Sequence, residues 1–369
     1  MKEWLKKIFK NLLALFIGLI IAFFIAEIVL RIWNPFEFRV KGDKIVLPCN
    51  KKYIIRNTKT SKLDTLIIHT KNSLGFRGKE KPANYDDLLS IITIGGSTTE
   101  CYYVSDGYDW PNVLEKKLSK THNNIWLNNA GLDGQSTFGH SILLTDYISK
   151  LKPKYILYLV GCNEIGREDL SKYDKDKLQD EYQSVGNFFT KNSELIDLIV
   201  NIKRGLKARK ENLIHEVIDF KKRPHVKVDS TILHDLLKYH QTYTANYKKR
   251  LIALVQKTKE YNIKPILITQ STVVGKAIDE ETGTDLATIK LMNDNGGYTY
   301  SRILEMYNEV TRAVAKEQNI PLIDLGNKMP KNSRYYVDGI HYTTAGSEKV
   351  GEIIFEGLDS IFTAAKLNK

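Results

Sequence analysis

Five short apolar runs, most of them followed by helix-patterned sequence, constrain this chain more than any other feature. They are Leu88–Ile94, Ile125–Asn129, Tyr155–Val160, Pro265–Thr269 and Ile320–Asp324. Short apolar runs that do not alternate with polar residues suit strands covered on both faces, as in the middle of a parallel sheet. Helix-period segments lie between or after them, at Trp110–Leu118, Ser136–Ser149 and from Thr344 onward. Strands joined by helical crossovers predict an α/β fold, a doubly wound three-layer α/β/α sandwich on a mostly parallel five-stranded sheet. In such a sheet, ligands meet the carboxyl ends of the strands, so the residues following each run are the first place to look for chemistry.

The N-terminus carries a separate signal. Lys2, Lys6, Lys7 and Lys10 precede an unbroken apolar run from Leu12 to Ala26, and apolar character continues to Trp33 with Glu27 and Arg31 as interruptions. About 20 apolar residues cross a bilayer core, and Leu12 to Trp33 has that length. Glu27 and Arg31 are four residues apart and so can pair on one helical face near the interface. Trp33 and Pro35 suit an interfacial exit. A cleaved signal peptide is the competing reading, but its apolar region would be shorter, and no small-x-small cleavage site stands near Ala26. The expectation is a single-pass anchor with a cytoplasmic N-terminus and the remaining chain outside the cytoplasm. Residues 1–34 are then the basic tip and transmembrane anchor. Residues 35–87 form a juxtamembrane connector with β-like runs at Lys44–Leu47 and Thr65–Ile68, and 88–369 form the main domain. A helical, lysine-rich insertion occupies about 167–261 of that domain.

The net charge of +12 raises the question of nucleic acid. Between Lys203 and Lys264, 16 Lys/Arg face 6 Asp/Glu, so most of the excess sits in that helical stretch. It has neither zinc-finger spacing nor an aromatic RNA-binding signature, so no nucleic-acid partner is expected. A solvated basic face is the simplest reading, and contact with an anionic membrane or polymer is the alternative. Cys49, Cys101 and Cys162 form no CxxC, and the eight histidines form no metal-binding spacing. Cys101 and Cys162 both lie close in sequence to candidate site segments. A disulfide is conceivable in an oxidising compartment, with unpaired small core residues as the other reading.

The strand ends supply the candidate chemistry. The first run leads into Gly95-Gly96-Ser97-Thr98-Thr99, a tight strand-to-helix turn that presents Ser97 at the sheet edge. It matches neither GxSxG nor the phosphate-binding GxxxxGK[ST]. The second leads into Asn129-Ala130-Gly131-Leu132-Asp133-Gly134-Gln135-Ser136, where Gly134 is the best candidate to offer a backbone N–H. The third leads into Gly161-Cys162-Asn163-Glu164. Asn163 could donate its amide to an oxyanion or cap the next helix. Near the C-terminus, Asp338-Gly339-Ile340-His341 places an acid three residues before a histidine, ahead of a helix. The acid can orient the imidazole while the imidazole moves a proton.

This ordered series of Ser97, Gly134, Asn163 and Asp338-x-x-His341 resembles the SGNH (GDSL-type) hydrolase superfamily, over roughly Leu88 to the C-terminus. Asn72-Ser73-Leu74-Gly75-Phe76-Arg77-Gly78 is similar to the lead-in of membrane-anchored members, and Trp110-Pro111 to a recurrent helix start. The usual Gly-Asp-Ser-Leu reads Gly95-Gly96-Ser97-Thr98 here, and the usual Gly-x-Asn-Asp ends in Glu164. The resemblance implies a flavodoxin-like sheet, Ser97 as nucleophile, His341 as base and Asp338 as its orienter. It also implies an oxyanion hole of the Ser97 and Gly134 N–H groups and the Asn163 amide. This chemistry calls for no metal or organic cofactor. The expected protein is a membrane-anchored serine esterase acting on O-acyl, chiefly O-acetyl, esters of a cell-surface glycan. An O-acyltransferase with the same triad, or a non-catalytic binding or assembly protein on the same fold, are the alternatives.

Overall fold

The computed structural model describes the chain except residues 1, 37–39, 42–43, 59, 123, 168–184, 211–216, 292–295 and 368–369. It divides into two compact units, Met1–Val46 with Lys177–Ile214, and Leu47–Asp176 with His215–Lys369.

In the first unit, helix α1 runs over Lys2–Ile32. Its segment Glu3–Ile32 holds an 18-residue window with a mean hydropathy of 2.9 and is long and apolar enough to cross a membrane. Side chains such as Leu19 and Phe24 lie exposed along it, as befits a helix apolar all round. Glu27 is the exception, a buried carboxylate on this apolar rod. It pairs with Arg31 at 2.8 Å, the predicted spacing of four, and accepts hydrogen bonds from the Ser193 hydroxyl at 2.7 Å and the N–H groups of Glu194 and Leu195, each at 3.1 Å. Those donors are the start of a helix over Glu194–Lys210, so Glu27 caps it from another element. A short antiparallel ribbon, β1 (Val40–Lys41) with β2 (Lys44–Ile45), belongs to the same unit.

The second unit opens with a hairpin of β3 (Lys51–Arg56) and β4 (Leu66–Lys71). Its main sheet contains β5 (Arg77–Gly78), β6 (Leu89–Gly95), β7 (Ile125–Asn129), β8 (Tyr155–Val160), β9 (Lys264–Thr269) and β10 (Leu322–Ile323), in the spatial order β10-β9-β8-β6-β7-β5. The five parallel strands are the five predicted apolar runs, the last shortened to two residues. Ile91 and Ile92, Ile156 and Leu157, and Ile266 and Leu267 are neighbours in sequence on opposite faces, and all are fully buried. That is why these runs do not alternate.

The sheet has six strands rather than the predicted five, because β5 joins β7 antiparallel. A two-residue strand leaves no periodicity to read. What places it is the turn before it. Asn72 accepts hydrogen bonds from Leu74 and Phe76 N–H at 3.0 Å and donates to Asn128 Oδ1 at 2.7 Å. Helices complete the sandwich. Helix α2 (Ser97–Glu100) starts at the end of β6, and α3 (Trp110–Leu118) packs on the final helix, Thr344–Leu367. Helix α4 (Thr137–Leu143), which continues through a π turn at Leu144–Ile148, packs with Ser230–Glu260, and that helix packs in turn with Gly297–Glu317. In the lysine-rich stretch, Val185–Asn192, Glu194–Lys210 and Ser230–Glu260 are helices, and the expected insertion over 167–261 falls partly outside the described residues.

Candidate active site

Strand β6 ends at Gly95 and the chain turns within one residue, Gly96, into α2, whose first residue is Ser97. A Cβ on Gly96 would stand 2.0 Å from Asn163 Nδ2. A larger residue at 96 would push the Asn163 amide out of its present place beside the serine turn.

Ser97 Oγ lies 2.7 Å from His341 Nε2, although 244 residues separate them. His341 Nδ1 lies 2.6 Å from Asp338 Oδ2. The other carboxylate oxygen, Oδ1, accepts the backbone N–H groups of Ile340 and His341, each at 2.8 Å. The turn therefore holds the carboxylate that holds the ring. Burial works against ionising Asp338, but the facing His341 and these N–H donors outweigh it and hold the carboxyl below the usual range. Thr343 then starts the last helix by accepting the Gly346 N–H at 3.0 Å, and Tyr342 ties the segment to Ser271 at 2.8 Å.

The other two predicted donors come from the strands on either side of β6. Gly134, after β7, has a φ of +72°, a conformation in which a side chain is strained. Asn163, after β8, sits in a 3₁₀ turn over Cys162–Glu164 and donates through Nδ2 to Gln135 O at 2.9 Å. One amide N–H is thereby committed to the Gly134 turn, and the amide as a whole lies against Gly96. The structure thus brings Ser97, Asp338 and His341 into one hydrogen-bonded series, with Asn163 beside the serine turn and joined to the Gly134 turn.

Several supporting residues escaped the sequence reading. Arg77, fully buried, donates to the carbonyls of Glu100, Cys101 and Val104 at 2.8 Å and pairs with Asp106 at the same distance, so it secures the end of α2. Glu100 accepts the Asp133 N–H at 2.7 Å and pairs with the equally buried Lys71 at 3.1 Å. Glu164, in the position of the usual aspartate, is buried. It accepts Thr137 N–H at the start of α4 and pairs with Arg250 at 3.0 Å. Trp110, fully buried, donates its indole N–H to Thr98 O at 3.1 Å, which gives the Trp110-Pro111 helix start a direct link to the serine helix. Of these, the lead-in segment holding Arg77, the Trp110-Pro111 start and Glu164 in place of the usual aspartate carried a sequence signal.

Cys49, Cys101 and Cys162 are all free thiols. Burial pushes Cys101 and Cys162 up to about 12, which favours the protonated thiols near neutral pH. Among the described residues, no group of three His, Cys, Asp or Glu side chains could hold a metal ion.

A serine hydroxyl linked through an imidazole to a buried carboxylate, at the carboxyl edge of a parallel α/β/α sheet, belongs to the serine hydrolases. The model of the GDSL-like lipase/acylhydrolase family matches residues 93–349, and the chain belongs to that family. No curated protein matches it by sequence. Among solved structures it is similar to an acetylxylan esterase from Geobacillus stearothermophilus, at 15% identity over 72% of this chain and 92% of that one, with a TM-score of 0.43. It is also similar to a putative lipolytic protein of the G-D-S-L family from Desulfitobacterium hafniense, at 14% identity over 73% and 99% of the two chains, with a TM-score of 0.40. The chain is thus a serine hydrolase of the GDSL-like lipase/acylhydrolase family.

Proposed function

We propose that Ser97 is the nucleophile, His341 the general base and Asp338 the residue that orients it. The Ser97 and Gly134 N–H groups and the Asn163 amide are the oxyanion hole. The observation that carries this reading is the unbroken series from Ser97 Oγ through His341 to Asp338, at 2.7 Å and 2.6 Å. As Ser97 Oγ attacks the ester carbonyl, its proton passes to His341 Nε2, and the carbonyl oxygen becomes an anion facing the donors. Collapse of the tetrahedral species breaks the bond to the leaving alkoxide, which takes that proton. Water, deprotonated by His341 in turn, cleaves the acyl-enzyme and releases acid and free serine. Asp338 keeps Nδ1 protonated, which leaves Nε2 free to accept.

The substrate proposed is an O-acyl, chiefly O-acetyl, ester of a cell-surface glycan, with the enzyme anchored by α1 and its main domain outside the cytoplasm. Support comes from the lysines before the span and from its length and exposed apolar surface. The test is hydrolysis of p-nitrophenyl acetate by the full chain in detergent, with loss expected in Ser97→Ala. Equal rates in wild type and variant would sink the assignment. With an acylated donor and a glycan acceptor, free acid is the expected product; acylated glycan would establish transfer instead. Protease added outside intact cells should cut the main domain, and protection would overturn the topology.

A further inference from the structure

Arg167 closes the turn after β8, and its guanidinium reaches the carbonyls of both proposed donor residues outside the serine turn. Nη2 donates to Gly134 O at 3.0 Å, and Nε donates to Asn163 O. These two residues follow β7 and β8, which are not neighbours: β6, the strand that delivers Ser97, lies between them. A fork from one rigid, planar group therefore spans the nucleophile turn and joins the loops on either side.

The local structure explains why such a brace is needed. Gly134 is held at a positive φ in a turn with open space beside it. On one side, Asp133 N–H is fixed by Glu100. On the other, the chain continues into Gln135, whose carbonyl receives the Asn163 amide. Besides Arg167, that amide joins the Gly134 and Asn163 turns directly, while Glu164 ties them further along through the Thr137 N–H and hydroxyl; the amide must also face the oxyanion. Arg167 takes over the structural tie through carbonyls and leaves the amide's second N–H for chemistry. Its own backbone is anchored by a bond from Arg167 N–H to Glu164 O at 3.2 Å, and Gly166 N–H donates to the Tyr307 hydroxyl at 3.1 Å.

We infer that Arg167 is the positioning residue of the oxyanion hole, clamping the Gly134 and Asn163 turns so that their donors converge on the developing anion. This rests on the assignment of Ser97, Gly134 and Asn163 proposed above. A group that places donors for the transition state acts on turnover, not on ground-state binding. Removing one such donor outright costs about 10²–10³ in turnover, so misplacing two through loss of their clamp should cost on the order of 10–100-fold.

Arg167→Ala, in the full chain, is expected to lower kcat by that factor with KM within about threefold of wild type. Arg167→Lys keeps the charge but not the fork and should recover only part of the loss. Free guanidinium ion should raise the rate of Arg167→Ala and leave wild type unchanged. Because Arg167 acts through Asn163, the loss in Arg167→Ala/Asn163→Ala should fall well short of the product of the two single losses. Thermal unfolding of each variant controls for folding, and the rate of Ser97 labelling by a fluorophosphonate gives a second readout independent of the ester. That labelling should slow in parallel with kcat. Wild-type kcat and labelling in Arg167→Ala, a change in KM alone, or fully multiplicative losses would each overturn the inference. Absence of Ser97 labelling in the wild type would remove the catalytic assignment itself, and the inference with it.

Discussion

Among the acid–base pairs at close spacing in this chain, Glu27–Arg31 and Asp338–His341 do different things. Glu27 and Arg31 are four residues apart on α1 and meet at 2.8 Å; Asp338 and His341 are three apart in a turn and meet at 2.6 Å. Both spacings bring the partners together by local geometry alone. The difference lies in the third partner. Beyond each other, Glu27 and Arg31 touch the start of another helix: the Ser193 hydroxyl, two backbone N–H groups and the Asn192 carbonyl. Beyond each other, Asp338 holds its own turn and His341 faces Ser97 Oγ. The first pair ends on backbone groups that need only be satisfied, and the second on a hydroxyl that becomes a nucleophile once its proton has a destination.

The sharpest way to break the comparison is to remove the third partner or the base. Ser97→Ala and His341→Ala should each lower kcat on an acyl ester by about 10⁶, because the members of such a series act as a unit. The measurement is steady-state hydrolysis with active-site titration, and a loss below tenfold would place the chemistry elsewhere. Asp338→Asn should cost about 10⁴ by presenting the wrong tautomer of His341 while leaving the protein folded. By contrast, Glu27→Gln should leave kcat within twofold and act on stability alone. Loss of a helix cap typically costs about 1 kcal/mol, read as a lower thermal midpoint of the full chain in detergent. A large loss of kcat in Glu27→Gln would erase the distinction between the pairs.

The smallest expected effect concerns pH. The carboxyl of Asp338 is held below its ordinary value in the folded chain, so the folded state binds its proton less readily than the unfolded state does. Its contribution to stability is therefore complete above the unfolded value of about 3.9 and is lost as pH falls through the lower folded value. Urea unfolding of wild type and Asp338→Asn between pH 6 and pH 3 should show the difference in midpoint shrinking over that acid range. A constant difference would mean that the carboxylate charge is not what holds the turn.

Much of the fold was legible because the central strands are buried on both faces and therefore written as apolar runs. Tyr155–Val160 and Ile125–Asn129 appear in the structure with the predicted ends. The edge strand Arg77–Gly78 was not legible, since its place depends on Asn72 meeting Asn128 across 56 residues. In the same way, Glu164 reads as a small departure from a familiar motif until Arg250 and Thr137 arrive beside it. Arg167 opens a stretch rich in lysine and arginine, and by composition it is one more solvated cation. Its two carbonyl partners exist only once β7 and β8 flank β6.

By itself, the sequence determined the features set by neighbours along the chain. These are the apolar helix at the N-terminus, the parallel strands, the pairing of Asp338 with His341, and the glycine turn that leads into Ser97. Each follows from periodicity, backbone conformation or a short spacing, which act within one turn or one strand. Tertiary structure alone decided which pair became chemical and what braced it. The 2.7 Å contact between Ser97 and His341, the buried Arg77 under α2 and the Arg167 fork all join segments that meet only when helices and strands pack. The physical reason is range: hydrogen bonds reach about 3 Å, and only the folded core brings distant residues that close and holds them there.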